Sequence, residues 1–237
     1  MAQRAAQTPV GLLVRTGCFL KASLSGVLGV VVVLSSPASA QTTRSVTVMS
    51  TEEALASLPD PETYQIFVVN EGLQPKAVRA IRDLIQKTIG QDHFFGAAYA
   101  HLPEGTTQLA IRIRSGLHSL ETAERLALRD CEGERGAEDA PCRLLAQIVP
   151  EAGWTAGRFP TLSSEATYVF TQKGAELPQP RFVARSRETQ AWAVWGGGEH
   201  RRQSALDECN EKAAAAGSEP DCEIVIDDTM QDDVPAQ

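Results

Sequence analysis

The chain has 237 residues, with 22 Lys+Arg against 30 Asp+Glu and a formal net charge of −8. An acidic excess of this size is repelled by nucleic acid and by anionic lipid, which excludes both as expected partners. The length suits one domain, or two small repeated units sharing a core.

In chain order, the first 40 residues hold no Asp or Glu and three basic residues, Arg4, Arg15 and Lys21. An apolar run follows from about Ala22 to Leu34, some seven residues shorter than the ~20 needed to cross a bilayer as a helix. Pro37 then ends the helix, and Ala38-Ser39-Ala40 offers the small side chains that a signal peptidase accepts. Residues 1–40 are therefore expected to be a Sec-type signal peptide cleaved between Ala40 and Gln41, giving a periplasmic or secreted protein with no stable membrane insertion. Cys18 precedes the apolar run, the wrong order for a lipidated cysteine, and no Arg-Arg pair marks the twin-arginine route. Cleavage removes three positive charges and no negative ones, so the mature net charge falls from −8 to −11.

Residues 41–60 read as a flexible lead-in, weakly helical from Thr51 to Leu58. Tyr64 to Val69 is β-prone, and Asn70-Glu71-Gly72 turns the chain. Pro75 sits at a first helical position, and Val78, Ile81, Ile85 and Ile89 recur at helical spacing until Gly90. Phe94 to Ala100 reads as a strand. Beyond Pro103-Glu104-Gly105, Leu109, Ile111 and Ile113 alternate with Ala110, Arg112 and Arg114, so a hairpin with aliphatics on one face and arginines on the other is predicted. Ser119 caps a helix carrying Ala123, Ala127 and Cys131 on one stripe, and Cys142 opens a strand through Val149. Residues 150–180, with four prolines, read as a connector holding a short helix from Ser163 or Ser164 to about Lys173. A second hairpin (Arg181–Ser186, Ala191–Trp195), a helix from about Glu199 to Ala214 and a strand from Cys222 to Ile226 follow, and residues 229–237 form an acidic tail.

Ala127-Leu128-Arg129-Asp130-Cys131 matches Ala205-Leu206-Asp207-Glu208-Cys209. Each match follows a hairpin and precedes a second cysteine (Cys142, Cys222) and an aliphatic strand. A β-β-α-β unit is thus expected twice, in residues 61–149 together with an N-terminal β-α element, and in 181–228. With Cys18 removed, four cysteines remain in an oxidising compartment, and three pairings are possible. The repeat favours Cys131–Cys142 and Cys209–Cys222, closing loops of about a dozen residues worth about 3 kcal/mol each in chain-entropy terms. The predicted class is α+β: the two stapled units and the β-α element in one antiparallel-rich sheet with helices on one face.

The strand, the glycine turn, and Ala-Leu-x-x-Cys with a second cysteine before a strand resemble an exported bacterial domain of unknown function whose members often repeat that two-cysteine unit. With Phe95-Gly96-Ala97, Gly153-Trp154 and Ala193-Val194-Trp195-Gly196, most of residues 60–228 resembles small exported proteins of alphaproteobacteria. Some of these carry the label 5-aminolevulinate synthase. That chemistry requires a pyridoxal-phosphate lysine in a cytoplasmic fold about twice this size, and Lys76, Lys87, Lys173 and Lys212 sit in no cofactor setting.

The sequence advertises no catalytic or metal-ligating set and no cofactor. Gly-x-Ser-x-Gly and His-Glu-x-x-His are absent, and His93, His101, His118 and His200 show no ligand spacing. Gly196-Gly197-Gly198 before His200-Arg201-Arg202 would suit an anion, but a tight strand-to-helix turn accounts for the glycines. On a strand Trp192 and Trp195 point to opposite sides, so one faces outward. Trp192, Trp195, Arg201 and Arg202 are the candidate binding surface for an envelope protein or a glycan. The leading functional expectation is a non-catalytic binding or structural module of the cell envelope. The competing one is a periplasmic enzyme with a hydrolase-like pocket lined by histidine and carboxylates.

Overall fold

The computed structural model of the chain describes residues 48–69, 72–151 and 161–233. The signal segment with its Ala40–Gln41 junction, the Asn70-Glu71 turn and Gly153-Trp154 lie outside them. Among the described residues no helix is long and apolar enough to cross a membrane.

The chain runs α1 (Thr51–Ser57), β1 (Tyr64–Val68), α2 (Pro75–Thr88), β2 (Gly96–His101), β3 (Ala110–Arg114), α3 (Leu120–Glu134), β4 (Arg143–Pro150), α4 (Ser164–Gln172), β5 (Arg181–Arg185), β6 (Trp192–Gly196), α5 (Arg201–Ala215) and β7 (Glu223–Asp227). The class is α+β. The strands form two antiparallel sheets, ordered β1-β4-β2-β3 and β6-β5-β7.

The expected single sheet is therefore divided, and the reason lies at the sheet edges. β1 pairs along the outer side of β4, and Met49 bridges the outer side of β7 at Ile226, so neither closing strand is free to join the other half. The helices also cover both faces rather than one. Alternate residues of β2 separate the two sides of the first sheet. Ala98 and Ala100 join Ile66, Ile81, Ile85, Ile89 and Ile148 under α2, whereas Ala97 and Tyr99 join Ala123, Leu126 and Ala127 under α3. In the second sheet Phe182, Ala184 and Ala193 lie under Ala205, Cys209 and Ala213 of α5, and Val183 and Val225 meet Phe170 of α4 and Ala54 of α1. A strand with apolar side chains on both faces requires cover on both.

The lead-in is held more firmly than its composition implies. Ser50 and Glu53 form a reciprocal capping box at the start of α1. Met49 N–H donates to Val225 C=O at 3.1 Å and Met49 C=O accepts from Asp227 N–H at 2.8 Å. Backbone pairing to β7 thus fixes residues that no strong local pattern would order. At the other end, Asp228–Asp233 form a 3₁₀ helix rather than a wholly irregular tail.

The two β-β-α-β units share more than element order. In each, the closing strand pairs with the first strand of the hairpin, which pairs in turn with the second. In each, the pairing slips by one residue. Ala98 faces Ala146 and Tyr99 faces Leu144, bypassing Leu145; Val183 faces Ile226 and Ala184 faces Ile224, bypassing Val225. The bulged residue is thus the third after Cys142 in one unit and the third after Cys222 in the other. The disulfides are Cys131–Cys142 and Cys209–Cys222, the expected pairing, each joining the buried stripe of a helix to the residue before the closing strand.

A polar clamp joins the units. Arg185, on β5, donates to the His118 carbonyl at 3.0 Å and to Glu223 at 3.2 Å, and it also bonds the Thr161 carbonyl and hydroxyl. The fully buried His118 ring accepts Ser163 N–H at Nδ1 (3.0 Å) and meets the Ala191 carbonyl at Nε2 (3.1 Å). Thr122 Oγ1 donates to the Arg187 carbonyl at 2.8 Å beside it.

Candidate site at the first disulfide

Strand parity explains how the first site is assembled. Ala97, Tyr99 and His101 occupy alternate positions of β2, on the side facing α3. Ala123, Ala127 and Cys131 form the helix stripe that meets them. The last residue of the strand face therefore lies against the last residue of the helix stripe. His101 is 4% exposed, and its Nδ1 is 3.5 Å from Cys131 Sγ and 3.8 Å from Cys142 Sγ.

The other ring nitrogen is also engaged. His101 Nε2 is 3.4 Å from Asp139 Oδ2, and Asp139 is itself fixed by the N–H groups of Glu104 and Gly136, both at 2.8 Å. Those two backbone donors, Glu104 first, hold the Asp139 carboxyl below its usual range. Glu132 closes the loop independently of the disulfide: one carboxylate oxygen accepts Cys142 N–H at 3.1 Å and the other accepts Arg135 Nε–H at 2.7 Å. The Arg135 hydrogen bond is the main cause of the lowered Glu132 carboxyl, with Cys142 N–H second.

The corresponding place in the second unit has different chemistry. Counting three residues on from the slip, from Ala98 to His101 and from Val183 to Ser186, places Ser186 where His101 stands. Ser186 Oγ accepts N–H bonds from Glu188 and Thr189, and Cys209 Sγ faces the Ala191 carbonyl at 3.6 Å. The second disulfide has no imidazole against its sulfurs. Among the described residues, only the first unit places histidine, two cysteine sulfurs and a supporting carboxylate together. The sequence offers no spacing that joins them, because His101 lies 30 residues before Cys131 and reaches it only through the hairpin.

The aromatic surface runs along β6 and α5 of the second unit. Trp195 belongs to the side of β6 under α5, and Trp192 to the side shared with Val183 and Phe170. Both are half-buried, and each carries a cation over its ring: Arg201 at 4.7 Å from the Trp195 centroid, Lys212 at 5.6 Å from that of Trp192. Glu208 links them, accepting Trp195 Nε1–H at 2.7 Å and pairing with Lys212 at 2.8 Å. Burial works to raise the Glu208 carboxyl, and the bonds from Lys212 and Trp195 outweigh it, so the group sits low. Arg202 turns away and pairs with the buried Asp227 at 3.1 Å. Gly197 and Gly198 have φ of 89° and 120°, backbone that side chains other than glycine's resist, so the glycines serve the turn into α5.

The strand carrying these tryptophans is an edge. Ser186 N–H bonds Ala191 C=O, and Gly197 N–H bonds Pro180 C=O. By antiparallel alternation the backbone groups of Trp192, Val194 and Gly196 point away from β5. Lys212 Nζ donates to the Trp192 carbonyl at 3.0 Å, and residues 177–178 lie against Gly196, which leaves Val194 between them. A hollow under α1, lined by Met49, Ala54, Ser57, Leu58, Leu162, Val225 and Ile226, is apolar and holds no histidine or carboxylate.

Comparison with family models, curated proteins and solved structures finds no match for this chain.

Proposed function

We propose that the chain is exported, matures at Gln41, and acts in the periplasm or outside the cell as a non-catalytic, disulfide-stapled binding module. Its contact surface is the edge strand β6 with the adjoining face of α5. The observation that carries this reading is the linked series Arg201–Trp195–Glu208–Lys212–Trp192 beside β6, which among the described residues is an edge strand. Rings held by neighbours present a large contact area at little further entropic cost. An envelope protein or a glycan fits a surface of aromatic faces bordered by both signs of charge. The same register in both units supports reading the chain as a member of the exported two-cysteine domain that its motifs resemble. Two disulfides in a chain of this length support an oxidising compartment.

A photoreactive residue in place of Val194, introduced in the full-length chain in its own cells, tests the surface. A discrete envelope adduct is expected from position 194, reduced at least fivefold by Trp195→Ala, and absent when the probe replaces the exposed Lys76 of α2. Equal adducts from positions 194 and 76, or none from 194, would overturn the assignment.

A further inference from the structure

The geometry points to a second function, separate from the β6 surface: once the Cys131–Cys142 disulfide is reduced, His101, Cys131 and Cys142 form a three-ligand site for Zn²⁺.

In the disulfide form the imidazole gains little from its position. Asp139 Oδ2 lies 3.4 Å from Nε2, a position that favours the ring proton on Nε2 and the Nδ1 lone pair toward the two sulfurs. That tautomer is the one a metal-ligating histidine adopts, with the second nitrogen held by a carboxylate. Tetrahedral zinc with Zn–S near 2.3 Å and Zn–N near 2.0–2.1 Å places nitrogen and sulfur about 3.5 Å apart. The separations of 3.5 and 3.8 Å between Nδ1 and the sulfurs already match that edge. The sulfurs alone have to part, to about 3.8 Å by the same geometry.

The surrounding structure holds the ligands in place without the covalent bond. Cys131 is in the last turns of α3, His101 ends β2, and Glu132 bonds Cys142 N–H, so the loop stays closed on reduction. The fourth position belongs to water, as in other three-ligand zinc sites. The reaction needs a dithiol. Its two thiols reduce the S–S bond through a mixed disulfide, the dithiol leaves as its own disulfide, and Cys131 and Cys142 are left as thiols. Zinc then displaces the two thiol protons to solvent. A disulfide oxidant reverses the sequence: thiol–disulfide exchange re-forms Cys131–Cys142, the oxidant leaves as two thiols with protons from solvent, and Zn²⁺ is released. The Cys209–Cys222 pair, with serine in place of histidine, is the control built into the same chain.

The mature protein, Gln41–Gln237, is reduced with a dithiol, desalted without oxygen, and titrated with Zn²⁺ against a chromogenic chelator. Co²⁺ in a parallel titration reads thiolate ligation through its charge-transfer absorption. The expected result is one Zn²⁺ per reduced chain and none per oxidised chain. His101→Ala should weaken binding more than tenfold and Asp139→Asn about tenfold, whereas Cys209→Ser with Cys222→Ser should leave the stoichiometry at one. Unchanged affinity in His101→Ala, which retains every thiol and so separates a built site from loose thiolate binding, would overturn the proposal. So would two equivalent sites per chain, or no uptake by the reduced protein.

Discussion

Replacing Arg185 with methionine should cost about 3–5 kcal/mol of folding stability, the range for removing one partner of a buried ion pair. Both partners are largely shielded, with 12% of the Arg185 side chain and 19% of the Glu223 side chain exposed. Methionine fills much of the same volume but leaves Glu223, the His118 carbonyl and the Thr161 carbonyl without their shared donor. Each orphaned buried acceptor adds a desolvation cost. The guanidinium is the centre of the clamp between the units, bonded to groups from the β3–α3 link, from the segment before α4 and from β7. Urea unfolding of residues 41–237 with and without the substitution measures the difference, and a loss below about 1 kcal/mol would refute the clamp. The exposed pair Arg125–Glu188, also between the units, is expected to matter far less when broken, within about 1 kcal/mol.

The second large effect is a loss of stability in acid set by His118. Complete burial, and then the charge of nearby Arg185, push its pKa from the ordinary 6.5 down to about 3. The hydrogen bonds show why the neutral ring is required: Nδ1 accepts the Ser163 N–H, and a proton there would set donor against donor. The sign follows directly. Between pH 6.5 and 3 the unfolded chain binds a proton at His118 that the folded chain does not, so stability is full above 6.5 and falls as the pH drops. The slope approaches 1.4 kcal/mol per pH unit, or about 3 kcal/mol lost by pH 4.5. Half-buried His93, lowered mainly by burial, adds in the same direction. Carboxylates held low by partners, such as Asp130 beside Arg114, contribute only at more acidic pH. His118→Gln should be less stable at pH 7 yet flatter between pH 6.5 and 4.5, read from unfolding midpoints across that range. An unaltered slope would contradict the assignment to His118.

Much of the fold is written in local patterns. Val78, Ile81, Ile85 and Ile89 predict α2 because one helical stripe buried under a sheet leaves a 3.6-residue period, and Ile81 and Ile85 are its buried residues. The alternation of Ile111 and Ile113 with Arg112 and Arg114 predicts β3 and its two faces; the arginines reach Glu134 and Asp130 of α3. What the patterns lack is long-range information. Nothing local to Met49 indicates that it will pair with β7, or that β1 will take the free edge of β4, and these two pairings decide that there are two sheets. The His101 centre is hidden for the same reason. Its members are separated by a hairpin and a helix, and none follows a metal-ligand spacing. One signal does exist in the sequence. Extending the β2 face from Ala97 through Tyr99 to His101, and the α3 stripe from Ala123 through Ala127 to Cys131, brings the two ends together. The aromatic surface was legible as residues but not as geometry, since parity alone cannot show that Arg201 and Lys212 lie over the tryptophan rings.

The most direct measurement for the account as a whole is mass spectrometry of the protein purified from its own cell envelope under non-reducing conditions, intact and after proteolysis. A chain beginning at Gln41, with peptides linked as Cys131–Cys142 and Cys209–Cys222, is the predicted result. A chain that retains Met1 and the first 40 residues, or a peptide joining Cys131 to Cys209, would contradict it.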